Sequence, residues 1–309
     1  MILINIQDDI IKLQSMGLLD KILVDRTTQK NIMWATDAYD YLGNAYSRNE
    51  QILSSLITNE NIGIIKSRAR KAFEQQSKRT RQRAEVFTPL WVCNLMNNSV
   101  DDQWFGRNNV FNIDGIPTNQ VVFDNGLSWE EYVYSKRLEI TCGEAPYLVS
   151  RYDVATGEII SITDRIGMLD RKIRVVTENT NTYEDWIAWV IKAFQSTYGY
   201  EFQGDNLLIA RVNLMMTFIE YCENTWHRMP DIKDLRTVAK IITWNIWQMD
   251  GITGTIPFKK AKEQDKQLDF FSLMGMDSEP HESEENTQPL CRIFDWRSNK
   301  SLTFWEKEE

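Results

Sequence analysis

A short strand-like stretch, LEITCGEAPYLV from Leu138 to Val149, contains a Cys-Gly pair at which the backbone can lie close to a ligand. In doubly wound α/β sheets, ligands bind outside the carboxyl ends of the strands, and a glycine in the first strand-to-helix turn permits that approach. Gly143 is placed in such a turn. The next strand of such folds often ends in an acid that hydrogen-bonds to ribose hydroxyls. Glu201 ends the strand-like TYGYE and precedes a helical pattern, so the pair predicts a nucleoside cofactor.

The segments around these two residues alternate between strand-like and helix-like patterns. DWIAWVIKAFQ and DNLLIARVNLMMTFIEYC read as helices, TYGYEF reads as a strand, and TVAKIITWNIWQMDG passes from a helix into a strand. Such alternation implies a parallel sheet covered by helices. We predict an α/β domain over residues 86–258, with an insertion at about 150–182 that has no place in the minimal fold.

The first 85 residues read as a separate helical domain, because Ile6, Ile10 and Leu13 recur at helix spacing. Its segment 66–83, KSRARKAFEQQSKRTRQR, holds eight Lys or Arg and one acid, in a chain whose net charge is −9. A solvated helix face is the ordinary reading of a charge run, but one so one-sided favours contact with DNA phosphates. The candidate DNA-binding residues are Arg68, Arg70, Lys78, Arg79, Arg81 and Arg83.

The composition excludes several classes of protein. No stretch approaches the roughly 20 apolar residues of a spanning helix, and the amino end carries two Asp where a signal peptide has basic residues. The chain has only two histidines, and its four cysteines are far apart, which argues against a metal centre and against a disulfide framework. We therefore expect a cytoplasmic protein with reduced thiols, no metal site and no membrane partner.

The polar and acidic tract 259–289 is expected to be a disordered excursion, followed by a terminal strand and tail of the α/β domain at 290–309. Within the tract, Gln267, Leu268, Phe270 and Phe271 resemble the peptide by which bacterial replication and repair proteins bind the sliding clamp. The alternative is that the two phenylalanines fold back on this protein's own surface.

The α/β segment as a whole resembles the adenine-specific DNA methyltransferases of restriction-modification systems, especially type I modification subunits. AEVFTPLWVCNLM contains their Phe-Thr-Pro at Phe87, Thr88 and Pro89, and the residues from Glu139 to Leu148 are similar to their cofactor loop. Glu201 falls where their ribose-binding acid falls, and it is followed by their Ala-Arg-x-Asn-Leu helix. WNIWQMDG resembles the next motif, which places Asp250 near the cofactor's adenine or the target base.

This resemblance implies a Rossmann-like methyltransferase fold, DNA as substrate, a specificity subunit as partner and S-adenosylmethionine as cofactor. The chain ends where the family adds further strands, so an incomplete sheet is expected. The cofactor-binding residues carried over from the motifs are Phe87, Thr88, Pro89, Glu139, Cys142, Gly143 and Glu201.

Two features depart from the family. Ala145 replaces the second glycine of the loop, and the chain has no Pro-Pro from which to build the Asn-Pro-Pro-aromatic motif that frees the lone pair of adenine's amine. IFDWRSN supplies the nearest substitute, with Asp295 and Asn299 as catalytic candidates beside Asp250. Three readings stay open: an active adenine methyltransferase, an inactive DNA-binding relative that works as a subunit, adaptor or decoy, and an enzyme that uses another nucleoside.

Overall fold

Eight α-helices and seven short strands make up the part of the chain that the computed structural model describes, residues 2–71, 88–257 and 290–304. The helices are α1 (Ile6–Ser15), α2 (Leu19–Leu23), α3 (Leu90–Phe105), α4 (Trp129–Tyr134), α5 (Met168–Asn179), α6 (Tyr183–Gln195), α7 (Gly204–Trp226) and α8 (Ile232–Asn245). The strands are β1 (Asn112–Ile113), β2 (Ile116–Pro117), β3 (Arg137–Glu139), β4 (Thr197–Glu201), β5 (Ile246–Gln248), β6 (Arg292–Asp295) and β7 (Lys300–Thr303).

The centre of the fold is a parallel sheet with the strand order β3-β4-β5. Leu138 pairs with Tyr198, and Tyr200 pairs with Trp247. Parallel neighbours need long crossovers, which α5 and α6 provide between β3 and β4, and α7 and α8 between β4 and β5. All three carboxyl ends therefore meet at one edge of the sheet. The mixed α/β class predicted from the alternating pattern is confirmed.

Helix α7 is the buried axis of the molecule. Every residue from Gly204 to Ile219 is buried, so the helix is covered on all sides, and polar residues such as Asp205 and Arg211 are buried together with the apolar ones. The helix begins where Gly204 N donates to Trp34 O, and a Cβ at this glycine would lie 1.8 Å from Met33 O. Only glycine therefore lets the amino-terminal segment pack this closely on the start of α7.

Crossing a lipid bilayer requires a helix that is both long and strongly apolar. No helix within residues 2–71, 88–257 and 290–304 has both properties.

The amino-terminal region does not form the predicted helical domain in the part that is described, residues 2–71. Its only α-helices are α1 and α2, and the rest is irregular backbone with short 3₁₀ turns such as Asp40–Leu42. Ile6 and Leu13 of α1 are buried in the same hydrophobic core as α7, together with Trp34 from the irregular part. The described part of this region packs its apolar side chains onto the α/β core rather than around a core of its own.

Within the segment predicted as an insertion, 150–182, the structure has a largely buried helix, α5. Helix α5 begins beside the end of the Cys-Gly loop, where Met168 N donates to Tyr147 O at 2.7 Å. A Cβ on Gly167 would lie 2.4 Å from Leu148 O, so glycine is required at this junction. The sequence did not indicate a core helix here, because Arg171 and Lys172 are residue types that usually lie on the surface. In the structure both are buried and hydrogen-bonded.

Asp170 in the first turn of α5 gives the protein a testable pH dependence. Its Oδ2 accepts from Ser150 N at 2.7 Å, and burial raises the pKa of the carboxyl from 3.8 to about 6. Between about pH 4 and 6 the native state then binds more protons than the unfolded chain, so stability falls as the pH rises through this window.

Asp170→Asn should remove this pH-dependent part of the free energy of unfolding, which is about 3 kcal/mol at roughly 1.4 kcal/mol per pKa unit. Urea unfolding at intervals between pH 4 and 8 measures it, with Asp20→Asn at an exposed position as the control. Identical slopes for the wild type and Asp170→Asn would contradict the prediction.

The β6–β7 hairpin covers one face of the sheet. Phe304, next to the end of β7, packs against Tyr200 and Trp247, with ring centroids 6.0 and 5.4 Å away. Cys291, just before β6, donates its backbone N–H to Gly254 O near the carboxyl end of β5. All four cysteines of the chain lie within the described residues, and each is a buried free thiol.

Candidate functional site

The backbone at the carboxyl end of β3 bends sharply through residues 140–147, here named the 140–147 loop. Thr141, Gly143 and Ala145 all have positive φ angles, of 47°, 54° and 66°. Cys142 N donates to Tyr200 O at 2.8 Å, so the loop stays attached to β4 beyond the end of β3. No described residue lies within 4 Å of the point where a Cβ on Gly143 would be. Apart from its chain neighbours, Gly143 therefore has no described group packed against this side of its backbone.

Glu201, at the end of β4, is in direct contact with this loop. Its Oε2 accepts from Gly143 N at 2.9 Å, and its Oε1 accepts from Gln203 N at 3.0 Å. The structure thus brings together the two residues on which the sequence hypothesis depended.

Glu139 holds the two ends of the 140–147 loop together. The side chain is buried, and its Oε2 accepts from Leu148 N at 3.2 Å, so it ties the residue before the loop to the residue after it. Burial, with the nearby Glu201 charge adding to it, raises the pKa of Glu139 well above its usual value. This residue, which the motif carried over as a cofactor ligand, is directed at the protein's own backbone.

Cys142 contributes only its backbone to the loop surface. The thiol is buried, and burial raises its pKa well above the usual value. A Cβ on Gly199 of β4 would lie 3.4 Å from Cys142 Sγ, which places the sulfur against the sheet. Contact between Cys142 and a ligand is therefore expected through main-chain atoms.

The Phe-Thr-Pro segment borders the loop. Pro89 O accepts from Val92 N at 2.9 Å as α3 begins, and the hydroxyl of Tyr147 in the loop donates to Met96 Sδ of the same helix at 3.0 Å. The third predicted residue, Phe87, lies outside the described residues. Thr88 and Pro89 therefore lead directly into the helix that contacts the 140–147 loop.

Asp250 also lies at the carboxyl edge of the sheet. It follows β5, and the preceding Met249 N donates to Glu201 O at 3.1 Å. The Asp250 carboxylate accepts from Ile252 N at 2.9 Å and from Thr253 N at 3.3 Å. It therefore shapes the turn that forms one wall of the site.

The remaining catalytic candidates, Asp295 and Asn299, lie at the opposite edge. Asp295 Oδ1 is 3.9 Å from Lys136 Nζ, at the amino end of β3, and Asn299 follows in the exposed hairpin turn. Hydrogen bonds from Ser298 lower the pKa of Asp295, which shapes this turn. At about 3.3 Å per strand residue, the length of β4 separates the two edges by roughly 13 Å. Asp295 and Asn299 therefore do not share a site with Gly143 and Glu201.

The basic segment begins at the 140–147 loop. Arg68 N donates to Glu144 Oε1 at 2.7 Å, and Arg70 is exposed. Lys71 forms a buried ion pair with Asp205, with Nζ and Oδ2 3.1 Å apart. The other predicted residues of this segment and of the clamp motif lie outside the described residues: Lys78, Arg79, Arg81, Arg83, Gln267, Leu268, Phe270 and Phe271.

Two polar side chains of α7 support the site: Asp205, which sequence reasoning missed, and Asn213, which it named only as part of the Ala-Arg-x-Asn-Leu helix. Asp205, in the first turn of α7, is fully buried and accepts from the Tyr39 hydroxyl at 2.9 Å. Asn213 donates from Nδ2 to the Glu144 carbonyl at 3.0 Å and so holds the loop from the side of α7. The signal was present in the spacing, because residues 205 and 213 are two helical turns apart on the helix that follows Glu201.

Among the described residues, no cluster of three or more His, Cys, Asp or Glu side chains is placed to hold a metal ion. In comparisons with known proteins, no protein-family model, curated protein or solved structure matches this chain.

Proposed function

We propose that this chain binds S-adenosylmethionine at the carboxyl edge of its parallel sheet, within a Rossmann-like methyltransferase fold, and that it belongs with the DNA adenine methyltransferases of restriction-modification or phage defence. The hydrogen bond of 2.9 Å between Gly143 N and Glu201 Oε2 supports this proposal most. This bond joins a glycine, whose backbone a ligand can approach closely, to an acid of the kind that binds ribose hydroxyls. The two residues lie at the ends of neighbouring parallel strands, where nucleoside cofactors bind in doubly wound sheets.

The side chains at this edge have the chemical groups that the cofactor requires. Glu201 would accept hydrogen bonds from the ribose hydroxyls, and Asp250 lies on the side of β5, where the adenine would be. Thr88 and Pro89 lie beside the loop, on the side expected for the methionine portion. When bound, the cofactor would supply an electrophilic methyl group, and the protein's part would be to hold and orient it.

Ala145, the residue that departs from the family's second glycine, does not obstruct this site. It takes the positive φ of 66° that glycine would take, and its side chain is fully buried. The extra methyl group therefore lies in the protein interior. The substitution costs about 1–2 kcal/mol of backbone strain and leaves the ligand side of the loop unchanged.

A catalytically inactive relative is a second candidate, favoured by the position of Asp295 and Asn299 at the opposite edge. Methyl transfer to adenine needs polar acceptors for the amine hydrogens close to the cofactor. Incubation with tritiated S-adenosylmethionine and duplex DNA separates the candidates. Label in DNA supports the enzyme, whereas cofactor binding without label supports an inactive subunit, adaptor or decoy. Binding of a different nucleoside alone would favour another reaction.

DNA binding is proposed through the basic segment 66–83. Reversing the charges of Arg79, Arg81 and Arg83 should weaken binding and reduce the slope of log Kobs against log salt by about 3, because each phosphate contact contributes roughly 0.9. Fluorescence anisotropy with a labelled duplex at several salt concentrations measures this.

The matched control reverses three exposed basic residues on α8, Lys233, Arg236 and Lys240. Equal slopes in the two triple variants would remove the assignment. Recruitment to the sliding clamp through Gln267, Leu268, Phe270 and Phe271 stays a prediction from the sequence.

A further inference from the structure

Helix α3 presents its apolar face to solvent, next to the outer side of β3. Six large apolar residues form this surface, here named the α3–β3 patch: Trp91, Leu95, Met96, Val100, Leu138 and Ile140. Trp91, Leu95 and Ile140 are 69%, 61% and 63% exposed. The patch borders a groove of about 640 Å³ between α3 and β3, whose lining includes Tyr147.

The orientation of α3 is fixed by its polar face, which is buried. Asn97 Nδ2 donates to Tyr147 O and to Ile166 O, both at 3.0 Å. Asp101 Oδ2 lies 2.7 Å from Arg171 Nη1, and both side chains are almost fully buried. Rotating the helix to bury its apolar side would leave these polar groups unpaired, at a cost of several kcal/mol. The exposed apolar stripe is therefore a permanent feature of this fold.

The same surface contains an open sheet edge. Among the described residues, β3 pairs only with β4. Arg137 N donates to Ser196 O, and this register turns Arg137 and Glu139 towards β4. Because the bonding direction alternates along a strand, the N–H and C=O groups of Leu138, the middle residue of β3, point away from β4. Such an edge is a template for another strand.

The exposed area is large enough to hold a partner. At about 100 Å² each, the six side chains expose on the order of 600 Å², the upper end of what a soluble monomer usually leaves uncovered. A standard interface buries about 800 Å² on each side. The patch therefore supplies most of the apolar centre of such an interface.

We propose that the α3–β3 patch binds an extended segment of a partner protein, which adds to β3 as a fourth strand. Its alternate side chains would be apolar and would fill the groove against Leu95 and Val100. At the amino end of β3, Lys136 is 61% exposed and its Nζ lies 3.9 Å from Asp295 Oδ1, a pair loose enough for the ammonium to attract a further acidic residue at that end of the segment. This inference is independent of S-adenosylmethionine binding.

Selection from a phage-displayed library of peptides about 12 residues long tests the proposal, since strands commonly span 3–10 residues. The patch variant carries Leu95→Asp with Val100→Asp. The matched control carries Leu53→Asp with Val122→Asp, which are exposed residues of the same types elsewhere on the surface. Wild type and control should enrich peptides with alternating apolar residues and no internal proline, and the patch variant should bind them at least tenfold more weakly.

Hydrogen exchange of the wild type with an enriched peptide gives a measurement that does not depend on any variant. Protection should appear at the amide of Leu138. No enrichment, equal binding by the patch variant, or protection elsewhere would overturn the proposal. The proposal would also be overturned if light scattering showed that the wild type is a dimer and the patch variant a monomer, because the occupant would then be a second copy of this chain.

Discussion

Asp101→Ala is expected to lower the free energy of unfolding by about 3–5 kcal/mol, the usual cost of removing one partner of a buried ion pair. Asp101 Oδ2 lies 2.7 Å from Arg171 Nη1, and its Oδ1 lies 3.3 Å from Arg137 Nη2. Arg171 is 1% exposed, so it would keep its charge in the interior without a counterion. Urea unfolding followed by circular dichroism measures the loss.

Two further variants test whether pairing is the cause. Asp101→Leu combined with Arg171→Met removes both charges, and it should recover at least half of the lost stability. Asp231→Ala breaks the exposed pair between Arg228 and Asp231, and it should cost no more than about 1 kcal/mol. If the double variant is as unstable as Asp101→Ala, the contribution of Asp101 lies in packing rather than in charge.

Gly143→Ala is expected to weaken S-adenosylmethionine binding at least tenfold. The new methyl group would enter the space that Gly143 faces, where no described residue lies within 4 Å. For the wild type, ligand at 100 times its Kd should add about 2.7 kcal/mol of stability, and the variant should lose most of this gain. Isothermal titration calorimetry and thermal unfolding with and without ligand are the measurements.

Gly126→Ala is the matched control, because Gly126 also has a positive φ, of 80°, and also has no described neighbour within 4 Å. Both variants should lose about 1 kcal/mol from left-handed backbone strain, but only Gly143→Ala should lose ligand binding. Glu201→Gln should also weaken binding, because a neutral amide is a poorer acceptor for ribose hydroxyls. A wild-type protein that S-adenosylmethionine does not stabilise would refute the cofactor assignment.

The parts of the site that could be predicted from sequence are those set by local chemistry. A glycine after one strand and an acid after the next identified Gly143 and Glu201, since parallel strands bring their carboxyl ends to one edge. Asp250 and Thr88 were placed at the same edge by motif order. The bond between Glu139 and Leu148 N could not be predicted, because it depends on how the loop closes and leaves no periodic trace in the sequence.

The positions of Asp295 and Asn299 show the same limit. Their residue types suited the missing amine acceptor, but the hairpin that carries them runs along the sheet. Trp296, beside Asp295, donates from Nε1 to Asn245 Oδ1 at 2.8 Å, just before the start of β5. A contact across 51 residues decides which edge the turn reaches. Neither composition nor spacing near residue 295 carries that information.

By itself, the sequence determined the alternation of strands and helices, the mixed α/β class and the pairing of a close-approach glycine with an acid. These follow from local periodicity and from the geometry of parallel strands. The tertiary structure alone decided that α3 turns its polar side inward, that α5 buries two basic residues, and that the amino-terminal segment shares the core. In each case the deciding partner is remote in sequence, because a buried polar or apolar group is stabilised by whatever the fold brings to it, and Arg171 and Asp101 are 70 residues apart.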